Sequence, residues 1–322
     1  MSGLAAEIVF DHVTKRYPGA AAPAVDDLSL VVPAGEICVL VGPSGGGKTT
    51  AMKMVNRLID ITEGDIRIGG QSVRALETTE LRRGIGYVIQ QTGLFPHMTV
   101  AENVATVPRL LGWDKRRTDA RVDELLDLVD LPARDYRARY ATQLSGGERQ
   151  RVGLARALGA DPPVMLMDEP FGALDPITRT RLQHELLRIH RAVGKTVIFV
   201  THDIDEAIMM GDRIAILRPG GRLAQYDTPE ALLAEPADDF VASFVGGDRG
   251  LKRLSLVRLD EVELDPLDGH VAVVPALPGR TSLRDALSTM LTEGTSYVVV
   301  LDEDGEPVGR LSLDALSARL VT

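Results

Sequence analysis

Apolar positions alternate at the start of the chain, in the stretch 6–16, through Ile8 and Phe10 with Val13 beyond them. This alternation predicts a β-strand, closed by the turn Tyr17-Pro18-Gly19. Leu28-Ser29-Leu30-Val31-Val32 predicts a second strand before the turn Pro33-Ala34-Gly35, and Asp65-Ile66-Arg67-Ile68 a third that enters a hairpin at Gly69-Gly70. Elsewhere the pattern is different. Ile37-Cys38-Val39-Leu40-Val41, Ile85-Gly86-Tyr87-Val88-Ile89, Val164-Met165-Leu166-Met167, Val197-Ile198-Phe199-Val200 and Ile214-Ala215-Ile216-Leu217 are short continuous apolar runs. Runs of that kind, separated by helical segments, predict a parallel sheet covered on both faces, hence an α/β core. Between Gln90 and the Val164 strand the period becomes helical, with Val122, Leu125, Leu126 and Val129 on one face. A helical insertion over about 92–157 is therefore expected.

The bulk numbers narrow the function class. A length of 322 residues accommodates two domains. No run approaches about 18 consecutive apolar residues, so no bilayer span is expected, and residues 1–7 lack the basic and apolar regions of a signal peptide. The single cysteine, Cys38, lies in an apolar run and suits a reducing compartment. A net charge of −10 argues against a nucleic-acid binder. From Gly246 onward 8 Lys and Arg face 13 Asp and Glu, a balance of −5 that equals the whole of the preceding 245 residues. That shift marks a separate tail.

The first run leads into the chemistry. Gly42, Pro43, Ser44, Gly45, Gly46, Gly47, Lys48 and Thr49 have the form G-x-x-x-x-G-K-[ST], with Thr50 next. The glycines let the backbone curl so that N–H groups point at phosphate oxygens. Lys48 is placed for the β- and γ-phosphates, and Thr49 for Mg²⁺. A helix starting near Lys48 adds its positive end to the same site. A buried strand ending in Asp168-Glu169 delivers one carboxylate for Mg²⁺, Asp168, and one for proton transfer from an attacking water, Glu169. In Leu144-Ser145-Gly146-Gly147-Glu148-Arg149-Gln150-Arg151, Ser145 is the expected N-cap and leaves the N–H groups of Gly146 and Gly147 for an anion.

That last stretch, L-S-G-G-x-x-Q-R, resembles the signature of ABC-transporter ATPase subunits, and the resemblance extends over residues 7–245. It implies a P-loop NTPase core with an antiparallel β subdomain and a helical insertion. It also implies a homodimer in which Ser145, Gly146 and Gly147 close on the ATP held by the other subunit. By the same resemblance Tyr17 stacks on adenine, Gln90 senses Mg²⁺ and the water, and Ala173-Leu174-Asp175 crosses the dimer interface. His202 contacts the γ-phosphate. Gly93-Leu94-Phe95-Pro96-His97-Met98-Thr99 belongs to a groove where two transmembrane permease subunits dock.

Residues 280–322 read as helix, strand, acidic-Gly turn, strand and helix, which looks like one CBS-type motif, a small α/β domain joined by a linker over 246–279. Such motifs normally pair, so pairing between two subunits and a small regulatory ligand are expected. An ATPase with this tail and the joining stretch Phe244-Val245-Gly246-Gly247-Asp248-Arg249-Gly250-Leu251-Lys252-Arg253-Leu254 resembles the quaternary-amine importers, for glycine betaine, carnitine, choline or proline betaine. The resemblance implies work at the cytoplasmic face of the plasma membrane, beside an extracytoplasmic substrate-binding protein. An importer for another small solute, such as an amino acid, or a non-transport ABC ATPase is the alternative.

Overall fold

The computed structural model describes residues 4–89, 93–172, 174–267 and 274–321, with 319–321 in backbone alone. The chain divides into two units, Met1–Thr228 and Pro229–Thr322.

In the first unit β1 (Ile8–Lys15) pairs antiparallel with β2 (Val25–Val32). The next strands in sequence are β3 (Ile37–Val41), β4 (Glu63–Ile68) and the short β5 (Gln71–Ser72). A four-stranded antiparallel sheet runs β2-β1-β4-β5. Ile8, Phe10 and Val13 are all buried, although strict alternation would turn Val13, three residues after Phe10, to the other face. The register shifts between them: His12 and Asp27 take positive φ of 50° and 53°, and His12 Nδ1 lies 2.7 Å from Asp27 Oδ1. The extra residue of this bulge returns Val13 to the core side.

The second sheet adds β6 (Ile85–Val88), β7 (Val164–Asp168), β8 (Thr196–Val200), β9 (Arg213–Leu217) and β10 (Leu223–Asp227) in the order β10-β9-β3-β8-β7-β6. All neighbours are parallel except β10 on β9. Every residue of β3 and all of β8 are buried, which is why these strands read as unbroken apolar runs. Ile8, Phe10 and Leu28 of one sheet share a core with Leu40, Val164 and Ile198 of the other, and with Met52 and Met54 of the helix Lys48–Val55.

Helices fill the interval between β6 and β7, among them Val100–Val104, Lys115–Leu128 and Gly146–Leu158. The first begins in a capping box in which Thr99 and Glu102 each bond the other's backbone N–H. Val122, Leu125, Leu126 and Val129 are buried, as their spacing predicts.

The second unit holds the helices Pro229–Ala234, Asp239–Val245, Arg249–Leu256, Leu283–Glu293 and Leu313–Val321. Its sheet is β11 (Ala276–Pro278), β12 (Tyr297–Leu301) and β13 (Pro307–Ser312), with β11 parallel and β13 antiparallel to β12. Residues 246–279, expected as a joining stretch, supply Leu254, Leu259 and Val262 to the core of this unit, against Leu283, Met290, Val298 and Leu311. Lys252 is buried there and donates to Val245 O at 2.7 Å, at the end of the preceding helix.

Candidate functional site

Parallel order puts the carboxyl ends of β3, β8 and β7 on one edge of the sheet, with Leu40 opposite Val200 and Val200 opposite Asp168. Whatever follows those strands converges there, so Gly42, Asp168-Glu169 and His202 become neighbours although they are far apart in sequence.

The loop after β3 is shaped by close backbone contact. Gly42 has φ 153°, and a Cβ there would stand 2.2 Å from Leu217 O; Gly47 has φ 74°, and its Cβ would stand 2.2 Å from Ala24 O. Gly46 N–H donates to Pro43 O at 3.1 Å, tightening the curl. Ser44 and Gly45 form the exposed crest. Gly47 is the N-cap of the helix Lys48–Val55 and offers no side chain to its first N–H groups, which leaves the positive end of that helix facing the crest. Gly47→Ala is expected to cost about 2 kcal/mol through backbone strain and collision. The thermal midpoint of the first unit should then fall by roughly 4–8 °C in calorimetry; an unchanged midpoint would refute the strain argument.

Lys48 is buried and folds back, its Nζ donating to Gly42 O at 2.7 Å and Pro43 O at 2.9 Å. Burial lowers its pKa, and the nearby charges of Glu169 and Asp168 oppose that shift. Thr49 Oγ1 donates to Asp168 Oδ1 at 3.0 Å, and Lys53 Nζ stands 3.6 Å from Asp168 Oδ2. Lys53 lies one helical turn beyond Thr49, on the same face, so its place was available in the spacing. Glu169 takes φ 42°, in the region disfavoured for residues with a side chain, while its N–H donates to Val200 O at 3.0 Å. That bond extends the β7–β8 pairing by one step and turns the carboxylate toward His202, whose Nδ1 lies 3.2 Å from Glu169 Oε1. Thr50 continues the helix just behind Thr49.

The remaining expected residues lie elsewhere. Ser145 is the N-cap of the helix Gly146–Leu158: its Oγ accepts from Glu148 N–H at 3.3 Å, and Glu148 Oε2 accepts from Ser145 N–H at 2.7 Å. Tyr136 OH donates to Glu148 Oε1 at 2.7 Å, and these bonds hold the Glu148 carboxyl below its usual pKa. The S-x-x-E spacing signals the box in sequence; nothing signals Tyr136. Gly146 and Gly147 pack on the start of the helix Pro176–Val193, where a Cβ on Gly147 would meet Thr178 Cγ2 at 3.4 Å. Among the described residues no hydrogen bond joins 145–147 to 42–50. Asp175 caps that second helix, accepting from Thr178 N–H at 3.0 Å; the Thr178 side chain first, and then this backbone bond, lower its pKa. Tyr17 is 41% exposed, with Lys15 Nζ 5.1 Å from its ring centre, on the turn that runs to Ala24 beside Gly47. Gln90 and Ala173 lie outside the described residues.

A groove of about 250 Å³ opens beside β6, lined in part by Arg82, Arg83, Tyr87, Phe95, Val107 and Arg156. The loop 93–99 at its rim is held by the buried Asn103, which accepts from Phe95 N–H at 2.8 Å and donates to Phe95 O at 3.2 Å. Arg156 donates to Gly93 O at 2.6 Å.

Comparison with known proteins supplies context for these placements. Residues 25–172 match the family described as ABC transporter, and residues 272–321 match the CBS domain. The chain is 50% identical over 305 residues to the osmoprotectant import ATP-binding protein of Salmonella typhimurium, covering 94% of this chain and 78% of that protein. It is 47% identical to the glycine betaine uptake system ATP-binding protein of Escherichia coli, covering 96% and 98%. Against a carnitine transport ATP-binding protein of Listeria monocytogenes the identity is 45%, covering 95% and 75%. Among solved structures, a dimeric bacterial ABC transporter cassette superposes with TM-score 0.60 at 35% identity, over 69% of this chain and 98% of that one.

Proposed function

This chain belongs to the ABC transporter family as an ATP-binding subunit, and on that premise we propose that it hydrolyses ATP to drive uptake of quaternary-amine osmoprotectants. The observation that carries the chemistry is the single hydrogen-bonded edge on which Thr49 meets Asp168 and His202 meets Glu169. The substrate class rests on similarity along nearly the whole chain, tail included, to ATP-binding proteins named for osmoprotectant, glycine betaine and carnitine transport.

The residues present fit a Mg²⁺-nucleotide. One hydroxyl and one carboxylate suit Mg²⁺, which takes few protein ligands and completes its shell with phosphates and water. At Gly42 and Gly47 the cradle leaves room only for backbone, which suits an anion seat built of N–H groups. When bound, Mg²⁺-ATP supplies the transferable phosphoryl group and the cation that neutralises its charge. Lys48 exchanges its bonds to Gly42 O and Pro43 O for the β- and γ-phosphates. Thr49 and Asp168 would hold Mg²⁺, and Gln90 would be the third metal contact. Glu169 takes the proton of the attacking water, and His202 holds the γ-phosphate. Tyr17 stacks on adenine. A second copy of the chain contributes Ser145 and the N–H groups of Gly146 and Gly147, with Asp175 at the interface. Separation of 145–147 from the phosphate loop within one chain supports that division.

Two permease subunits dock at the groove by Phe95 and Arg156, at the cytoplasmic face of the membrane, and an extracytoplasmic binding protein delivers the amine. The tail serves regulation. A cavity of about 840 Å³ in the second unit, lined by Arg258, Asp260, Leu264, Arg280, Val300 and Asp302 among others, is the place for a small ligand. The test is reconstitution with permease and binding protein. Glycine betaine, carnitine, choline or proline betaine should stimulate hydrolysis several-fold. Stimulation by some other solute and by none of these amines would sink the substrate reading.

A further inference from the structure

The peptide that carries His202 rests on a buried polar cluster to which the chemistry above gives no role. Thr201, 2% exposed, follows β8 and donates its N–H to Leu40 O at 3.2 Å. Its hydroxyl accepts from Asp203 N–H at 3.1 Å, so residues on both sides of His202 are tied together. The Thr201 side chain lies against the carboxylate of Glu206, in the helix Ile204–Met210, and favours its charged form, while Glu206 N–H donates to Asp203 Oδ1 at 3.2 Å. Gln183 Nε2 donates to Glu206 Oε1 at 2.8 Å from the helix Pro176–Val193, the helix that Asp175 caps. Glu206 and Gln183 are 9% and 6% exposed. Burial raises the Glu206 pKa, and the side chains of Thr201 and Gln183 oppose that shift.

A buried carboxylate is costly to keep, and the helix does not need this one for its start. Asp203 already caps it, accepting from Asp205 N–H at 2.9 Å and from Glu206 N–H at 3.2 Å. The His202 side chain, in contrast, is 66% exposed, so its aim depends on how firmly the backbone beneath it is held.

We propose that Glu206, bonded to Asp203 beside Thr201 on one side and to Gln183 on the other, is a positioning residue that fixes the His202 backbone and couples it to the helix following Asp175. The inference rests on the reading of His202 as the γ-phosphate contact. It adds that presentation of the imidazole and the setting of the interface loop move together, because one residue joins their supports.

Steady-state hydrolysis by the full chain tests this. Thr201→Val removes the hydroxyl at nearly constant volume, and Glu206→Leu removes the acceptor. Each is expected to lower kcat about tenfold with KM for ATP within about twofold, the pattern of misplaced catalytic geometry rather than lost binding. Glu206→Gln keeps an acceptor for Gln183 and a polar partner for Thr201, and should hold kcat within about threefold of wild type. Unchanged kcat in Thr201→Val and Glu206→Leu overturns the proposal. So does a fall in kcat matched by a rise in KM, or a Glu206→Gln variant as impaired as Glu206→Leu, since both assign the cluster to stability alone. Should Glu206→Leu fail to fold, Thr201→Val and Gln183→Met carry the test. His202→Ala separates the two levels: wild-type turnover there removes the γ-phosphate reading itself. Slow turnover there with normal clamp variants removes only the positioning role.

Discussion

Glu169→Gln is expected to lower steady-state ATP turnover by about three orders of magnitude, the middle of the range for loss of a positioned base, while ATP affinity stays within about twofold. The substitution preserves volume and keeps an oxygen for the His202 contact at 3.2 Å. What it removes is the capacity to accept a proton. The strained backbone supports this assignment: φ of 42° at a residue with a side chain is tolerated where the neighbouring structure enforces it, here through the bond to Val200 O. Phosphate release and equilibrium nucleotide titration measure the two quantities. Equal turnover in wild type and variant would remove Glu169 as the base. A parallel loss of affinity would mean that the side chain holds the ground state instead.

Ser145→Arg should lower turnover by about two orders of magnitude, because a guanidinium occupies the anion seat at the start of the helix Gly146–Leu158 and its bulk keeps two copies from closing. ATP affinity of the single chain should change by less than about twofold, since Ser145 makes no bond to the phosphate loop of its own chain. Loss of the cap is a separate effect of about 1 kcal/mol. Ser145→Gly isolates it, since glycine costs only a few tenths at an N-cap and leaves the seat open. If Ser145→Arg weakens ATP binding as much as it slows turnover, the signature acts within one chain and the composite site is wrong.

Much of this arrangement is written in contiguous stretches. The phosphate loop is legible because its glycines, lysine and threonine are adjacent. The capping boxes at Thr99–Glu102 and Ser145–Glu148 are legible because partners three residues apart meet in the first helical turn. The fully buried β3 and β8 show as unbroken apolar runs. Less of the tail could be read. Residues 246–279 are expected as a linker, yet Leu254, Leu259 and Val262 reach the core formed with Leu283 and Met290. The bulge at His12 and Asp27 left only the odd step from Phe10 to Val13 as its trace.

The sequence by itself determined the kinds of groups available: a phosphate cradle, an acidic pair, a capped glycine helix start and a histidine after a buried strand. Such devices depend on backbone geometry within a few residues, which local side chains dictate. Only the tertiary structure decided which of them meet. The order β3-β8-β7 places Thr49 against Asp168, 119 residues away, and His202 against Glu169, 33 away. Among the described residues no hydrogen bond brings Ser145 to the phosphate loop, while Gln183 meets Glu206 in the helix after His202. Sheet order is set by which apolar faces are buried together, and no spacing along the chain records that choice.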